Sequence, residues 1–211
     1  MTMTTPPETL LTRERIQSAL AALPAREENN ACRGAFTQAA VLVPLVNHHG
    51  AWEMLFTRRT DTVENHKGQV AFPGGAVEPQ DRTLEDAALR EAWEEIGLPP
   101  ASVRLLGRLP LLSTITGYCV TPVVGEIVQR VVYQPAPAEV SRVFQVPLDW
   151  LADPQNWEWR WFTRPNGLAS WVIFYQPYDG EVIWGVTASI VHSFLAALGW
   201  LEASHPPDQT P

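Results

Sequence analysis

The sequence predicts a single domain of the α/β (α+β) class, an α/β/α sandwich around a central mixed sheet. A near-continuous apolar run at residues 36–46 is typical of a strand buried on both faces. A helix with well-marked ends follows Thr83, and a second amphipathic helix is predicted at 187–198. Because several further strands separate the two helices, we expect helices to cover both faces of the sheet.

Composition narrows the class of protein. The chain has 211 residues, 45% of them hydrophobic, which suffices for one sizeable core. A net charge of −8 argues against binding to nucleic acid or to an anionic membrane. No signal pattern and no membrane-length apolar run is visible, so we predict a soluble cytoplasmic protein. Cys32 and Cys119 form no disulfide framework, and we expect two buried or incidental thiols.

The chain begins with segments that we place outside the main domain. Residues 1–8 are expected to be a disordered lead, and 9–24 an accessory helix that ends at Pro24. The main domain is predicted at 36–198, followed by a disordered tail at 203–211.

Strands are predicted from apolar runs and their breaks. Pro44 should lie near the end of the first strand or at a bulge. His48 and His49 precede Gly50 in a turn, where solvated side chains are more common than metal ligands. The strands after the first are predicted at 52–58, 103–112 and 121–128.

Tryptophan is concentrated near the C-terminus. Trp157, Trp159 and Trp161 alternate with Glu158 and Arg160, so a strand would place the three indoles on one face. Core packing is the most common meaning of such a stripe. Stacking on an adenine and a homodimer interface are the alternatives.

The helix after Thr83 carries a cluster of acids. At about 100° per residue, Glu91, Glu94 and Glu95 share one face. A divalent cation would relieve their repulsion, and oxygen ligands select Mg²⁺ first and Mn²⁺ second. Since Mg²⁺ often completes its shell with substrate phosphates, the implied substrate carries phosphates.

The same helical wheel predicts how the helix packs. The residues opposite the acids form an apolar stripe that should lie against the sheet. Two small residues one turn before the acids should leave room for a ligand. The stripe is Leu89, Ala92, Trp93 and Ile96, and the small residues are Ala87 and Ala88.

Residues 74–98 resemble the Nudix box, the signature of hydrolases that cut a nucleoside diphosphate linked to another moiety. Gly75 and residues 90–98 fit the pattern, whereas Asp81 replaces its upstream Glu with one extra residue before Arg90. The resemblance implies the Nudix sandwich fold and Mg²⁺ or Mn²⁺ as cofactor. It implies Glu91, Glu94 and Glu95 as metal ligands, with Glu94 and Arg90 as catalytic residues, Arg90 pairing with an acid to orient the helix.

Residues 55–75 are similar to the additional signature of the coenzyme A pyrophosphatase branch. The fitting positions are Leu55, Thr57, Arg59, Gly68 and residues 72–75, while Glu64 stands where that signature has Arg. Residues 116–125 and 184–188 also look like bacterial members of this branch. The resemblance implies Arg59, Gly74 and Gly75 as substrate-binding residues.

Neighbouring side chains on a strand alternate between faces, so Arg58 and Arg59 should point in opposite directions. Guanidinium groups suit phosphate, and both are candidates for substrate binding, with Arg59 favoured by the resemblance. A distant general base stays unassigned among Glu78, Glu126 and Glu139.

Three functions follow from these observations. The first is hydrolysis of coenzyme A or its derivatives to 3′,5′-ADP and 4′-phosphopantetheine. The second is hydrolysis of another nucleotide, such as ADP-ribose, a dinucleotide or a nucleoside triphosphate. The third is a Nudix-like binding module without catalysis, which the presence of all the box acids disfavours.

Overall fold

The computed structural model describes residues 11–24, 32, 36–61, 67–164, 167–202 and 206–207. None of the helices in these ranges has the length and apolar character needed to cross a membrane. In chain order the elements are α1 (Arg13–Ala21), β1 (Thr37–His48), β2 (Ala51–Arg59), β3 (Val70–Ala71), β4 (Gly74–Ala76), α2 (Leu84–Ile96), β5 (Val103–Arg108), β6 (Leu112–Ser113), β7 (Tyr118–Ile127), β8 (Val140–Pro147), α3 (Leu148–Ala152), β9 (Trp157–Thr163), β10 (Ala169–Tyr175) and α4 (Gly185–Ala197).

Eight strands form the central sheet, in the order β3-β2-β1-β7-β5 with β4 on β1, β6 on β7 and β8 on β2. β1 and β7 run parallel from the pair Thr37 and Tyr118 to the pair Val46 and Ile127. The other neighbours are antiparallel. The predicted mixed sheet is confirmed.

Both faces of the sheet are covered. In β1, Ala40 and Leu42 belong to the hydrophobic cluster of α2, whereas Val43 and Leu45 belong to the cluster of α1 and α4. Since successive strand residues face opposite sides, the sheet lies between two helical layers. This arrangement is the predicted α/β/α sandwich.

β1 and β2 separate from each other after their paired ends. Residues 70–76 fill the space between them, with Thr57 of β2 opposite Ala71 and Ala40 of β1 opposite Gly75. We call this opening the fork. Pro44 lies at its apex in the middle of β1, not near the strand end as predicted. Residues 39–41 of β1 pair with β4 and residues 45–48 pair with β2. Pro44 lies between these two paired stretches, where its missing N–H removes no hydrogen bond to either strand.

The ends of α2 agree with the sequence prediction. The hydroxyl of Thr83 accepts a hydrogen bond from the N–H of Asp86, and Gly97 ends the helix with φ of 66°. The predicted apolar stripe is confirmed for Ala92 and Ile96, which are buried, and for Leu89, which packs against the same cluster, but the prediction is wrong for Trp93 and Glu95. Trp93 is 52% exposed, and the residues turned toward the sheet are Ala87, Ala88, Ala92, Glu95 and Ile96. Ala87 and Ala88 therefore pack in the core and leave no space for a ligand.

The tryptophan-rich segment forms a separate two-stranded sheet of β9 and β10. Trp157 and Trp159 pack against the cluster of α1 and α4, and Trp157 meets His192 edge-on at 4.2 Å between ring centres. Trp161 contacts Trp171 instead. Core packing thus accounts for the first two indoles, while adenine stacking and a homodimer interface stay predictions.

Cys32 and Cys119 are joined in a disulfide, so the prediction of two thiols is wrong. Their Cα atoms are 6.0 Å apart although 87 positions separate them in sequence. Parallel pairing with β1 brings Cys119 beside Gln38, close to the chain that leads into β1. The predicted lead at 1–8 and most of the tail at 203–211 lie outside the described residues.

Candidate active site

Two glycines of the fork lie directly against the acids of α2. A Cβ atom on Gly75 would be 2.4 Å from Oε1 of Glu91, and one on Gly74 would be 2.5 Å from the carbonyl oxygen of Ala40. The backbone of Gly74 also lies close enough to the Glu95 carboxyl to lower its pKa slightly. The missing side chains allow this close approach, to backbone at Gly74 and to the Glu91 carboxylate at Gly75.

Glu95 is held in an environment that disfavours its charge. The residue is only 4% exposed, and this burial raises the pKa of its carboxyl to about 8. The nearby charges of Glu91 and Glu139 raise the pKa further, whereas Arg59, 3.9 Å away, opposes them. Burial also raises the pKa of Glu91. Glu91 also accepts a hydrogen bond from Nη1 of Arg90 at 2.9 Å, so Glu95 is the carboxylate whose negative charge is less compensated.

Arg59 and Arg58 point to opposite faces of β2. Nη1 of Arg59 lies 3.9 Å from Oε1 of Glu95, on the α2 side. Arg58 instead bonds Asp61 and Ser141 and approaches Glu181 at 3.5 Å. Of these two arginines the structure brings Arg59 to the acids and leaves Arg58 on the other face, and substrate binding by either residue stays a prediction.

Arg90 connects α2 to the loop before it. Its Nε and Nη2 atoms donate to the two carboxylate oxygens of Asp81 at 3.1 and 3.0 Å, and Nη2 also donates to the carbonyl of Ala76. These bonds lower the pKa of Asp81, whose side chain is 3% exposed. The extra residue before Arg90 thus does not prevent the pairing. Asp81 is the acid that accepts both hydrogen bonds from the Arg90 guanidinium.

Glu94 is more exposed than the other two acids, and it shares Nη1 of Arg90 with Glu91, whose Oε1 accepts from that atom at 2.9 Å. Its side chain is 56% exposed, and its Oε2 accepts from Nη1 of Arg90 at 2.9 Å. Among the described residues, no three Asp, Glu, His or Cys side chains converge as a ready-made metal site. Mg²⁺ is commonly held by only one or two carboxylates, and Glu91 with Glu95 supply that number. This pair of hard oxygen donors, in which the charge of Glu95 is under-compensated, fits a divalent cation.

A further acid reaches this site from a distant loop. Residues 134–139 are bonded to the last turn of α2 through the N–H of Ala136, which donates to the carbonyl of Glu95. The N–H of Thr60 donates to the carbonyl of Glu139, so this loop also joins the end of β2. Glu126 instead pairs with Arg13 of α1, on the other side of the sheet. Sequence reasoning named Glu139 but had no signal to select it.

Comparison with known proteins agrees with this geometry. A NUDIX domain family model matches residues 36–169. The Nudix hydrolase NudL of Pectobacterium atrosepticum is 42% identical over 160 residues, covering 74% of this chain and 79% of that protein. NudL of Klebsiella pneumoniae strain 342 is 42% identical over 163 residues, covering 77% and 83%. Both relatives carry the description "Uncharacterized".

Solved structures with similar folds include the Nudix hydrolase RenU of M. smegmatis, which is 26% identical with a TM-score of 0.47 and covers 55% of this chain and 73% of that one. The family match and the identity to NudL together show the family: this chain belongs to the Nudix hydrolases.

Proposed function

We propose that this Nudix hydrolase cleaves the pyrophosphate bond of coenzyme A or its derivatives, giving 3′,5′-ADP and 4′-phosphopantetheine. The observation that carries the proposal is the juxtaposition of the buried Glu95 and the partly buried Glu91 with Arg59 and with the backbone at 74–75. This arrangement offers positive and negative groups side by side, as a phosphate chelated to a cation requires.

Glu91 and Glu95 would hold Mg²⁺ or Mn²⁺, and Glu94 would assist through an intervening water. A divalent cation bound there supplies positive charge to the pyrophosphate oxygens in the transition state. The buried state of Glu95 supports this role, since a cation favours the charged form that burial penalises. Arg90 keeps α2 in register with the loop at 76–81.

Two side chains of this site would bind the substrate and accept a proton. Arg59 binds a phosphate through its planar guanidinium, whose buried Nε has no partner among the described residues. Glu139 takes the proton of the attacking water as general base. The water oxygen forms a bond to one phosphorus, the bridging P–O bond breaks, and the second phosphate leaves with the bridging oxygen.

Coenzyme A is proposed because the branch signature surrounds the fork. Thr57 donates to the carbonyl of Ala71, Gly68 adopts φ of 63°, and Phe72 stacks on Phe56 at 4.9 Å. These residues hold the strand pair from which Arg59 and Gly74 reach the acids. Glu64, which departs from the signature, lies outside the described residues. A cytoplasmic location and a homodimer stay predictions.

The test is product analysis with coenzyme A, ADP-ribose, NADH and a nucleoside triphosphate, each with Mg²⁺ or Mn²⁺. We expect coenzyme A to be cleaved to 3′,5′-ADP, and Glu95→Gln to lower this rate by about a hundredfold or more. Glu85→Gln on the same helix is the matched control, since Glu85 pairs with Arg108 away from the site. Preferential cleavage of another substrate would reject the coenzyme A assignment and keep the metal site.

A further inference from the structure

One residue of β8 interrupts its pairing with the end of β2. Arg58 is opposite Arg142 and Arg59 is opposite Val140, so Ser141 has no counterpart on β2. Such an extra residue is a β-bulge, which bends the strand and redirects the side chains that follow.

The bulge changes which face of the sheet β8 presents. Phe144 and Val146 belong to the cluster of α1 and α4. In an unbroken strand Val140 would share their face, because residues an even number of positions apart point the same way. Val140 belongs instead to the cluster of α2, opposite Arg59. The bulge therefore turns this end of β8 toward the face of the sheet that α2 covers.

The consequence extends to Glu139, the residue before Val140. The N–H of Thr60 donates to the carbonyl of Glu139 at 2.9 Å, and its hydroxyl donates to the carbonyl of Ala138 at 3.0 Å. The N–H of Val140 closes a turn onto the carbonyl of Ala136 at 2.9 Å. Glu139 is thereby held between the end of β2 and the end of α2.

The hydroxyl of Ser141 occupies the gap that the bulge opens in the ladder. It donates to the carbonyl of Arg58 at 3.0 Å and accepts from Nη1 of Arg58 at 3.1 Å. We propose that Ser141 is a positioning residue that holds the bulge and so fixes the turn that carries Glu139 beside the last turn of α2. The inference rests on the proposed function, in which Glu139 is the general base.

The experiment compares Ser141→Thr with Ser141→Val, two β-branched side chains of similar shape that differ in the hydroxyl. We expect the threonine variant to retain parental activity and the valine variant to lose about tenfold in kcat, or about 1.4 kcal/mol of activation free energy. KM should change less than about twofold, because the placed group acts in the transition state. In a Glu139→Gln background, Ser141→Val should cause no further loss, since it acts through the residue already removed.

Two results would overturn the positioning role while leaving the hydrolase assignment intact. One is equal kcat for the threonine and valine variants, and the other is a full additional loss in the Glu139→Gln background. If the parent protein cleaves none of the four substrates, the proposed function fails and amide hydrogen exchange decides the inference. Faster exchange at Thr60 and Val140 in the valine variant alone would support it, and equal exchange in both variants would reject it.

Discussion

Replacing Gly75 by alanine tests whether the close approach of the fork to α2 positions the carboxylate of Glu91, a proposed metal ligand. The new Cβ would lie 2.4 Å from Oε1 and 2.6 Å from Cδ of Glu91. Ordinary van der Waals contact for a Cβ atom begins at 3.4 Å, so the Glu91 carboxylate must move by about 1 Å. The atoms displaced belong to the end of a flexible side chain, and φ of Gly75 lies outside the left-handed region. We therefore expect the fold to accept alanine while the site does not.

The assay is steady-state hydrolysis of the best substrate together with urea denaturation. A displacement of about 1 Å in a catalytic constellation lowers the rate by about a hundredfold. The free energy of unfolding of Gly75→Ala should stay within about 1 kcal/mol of the parent. Gly74→Ala is the contrasting variant, because its Cβ would lie 2.6 Å from Cα of Val41 and meet backbone that cannot rotate away. Full activity in Gly75→Ala, or a stability loss as large as that of Gly74→Ala, would refute the reasoning.

Three further predictions concern stability. Asp81→Asn weakens the bidentate bonds to Arg90 and should lower the free energy of unfolding by about 1–3 kcal/mol in urea; parental stability would contradict this. Burial lowers the pKa of His192 from 6.5 to about 4, so between these pH values only the unfolded chain gains a proton. The free energy of unfolding should therefore fall as the pH drops, by about 2 kcal/mol at pH 5. His192→Phe should remove that part of the pH dependence, and an unchanged slope would count against the assignment. Reducing the Cys32–Cys119 disulfide should lower the free energy of unfolding of the parent by about 2–4 kcal/mol, and a reductant should have no effect on Cys32→Ser. A parent protein whose stability does not respond to reductant would disprove this prediction.

The helix carrying the box acids shows what sequence reasoning reaches. Thr83 and Gly97 are local signals, since each acts through backbone groups three or four residues away, and both ends of α2 were predictable. The positions of Trp93 and Glu95 were not. A helical wheel assigns Trp93 to the core and Glu95 to solvent by hydropathy, but a site that uses a buried acid reverses both assignments.

Features that depend on distant parts of the chain were also beyond reach. Alternation along β2 predicted that Arg58 and Arg59 diverge, because that rule needs only neighbouring residues. The proposal of Glu139 as general base depends on a bulge in β8, and no residue type in the sequence predicts that bulge. The disulfide depends on the parallel pairing of β1 with β7, which sequence separation does not reveal.

That parallel pairing also bears on how the domain folds. Thr37 pairs with Tyr118, so the central ladder closes only after a long intervening segment has been brought back. Non-local pairing slows folding, because loop-closure entropy is lost before the contacts compensate it. The helix α2 lies within that segment and has local signals at both ends, so it can form early with its acids still hydrated. A hydrated Glu95 does not experience the burial that raises its pKa, so the cost of burying its charge arises only where α2 packs against the sheet.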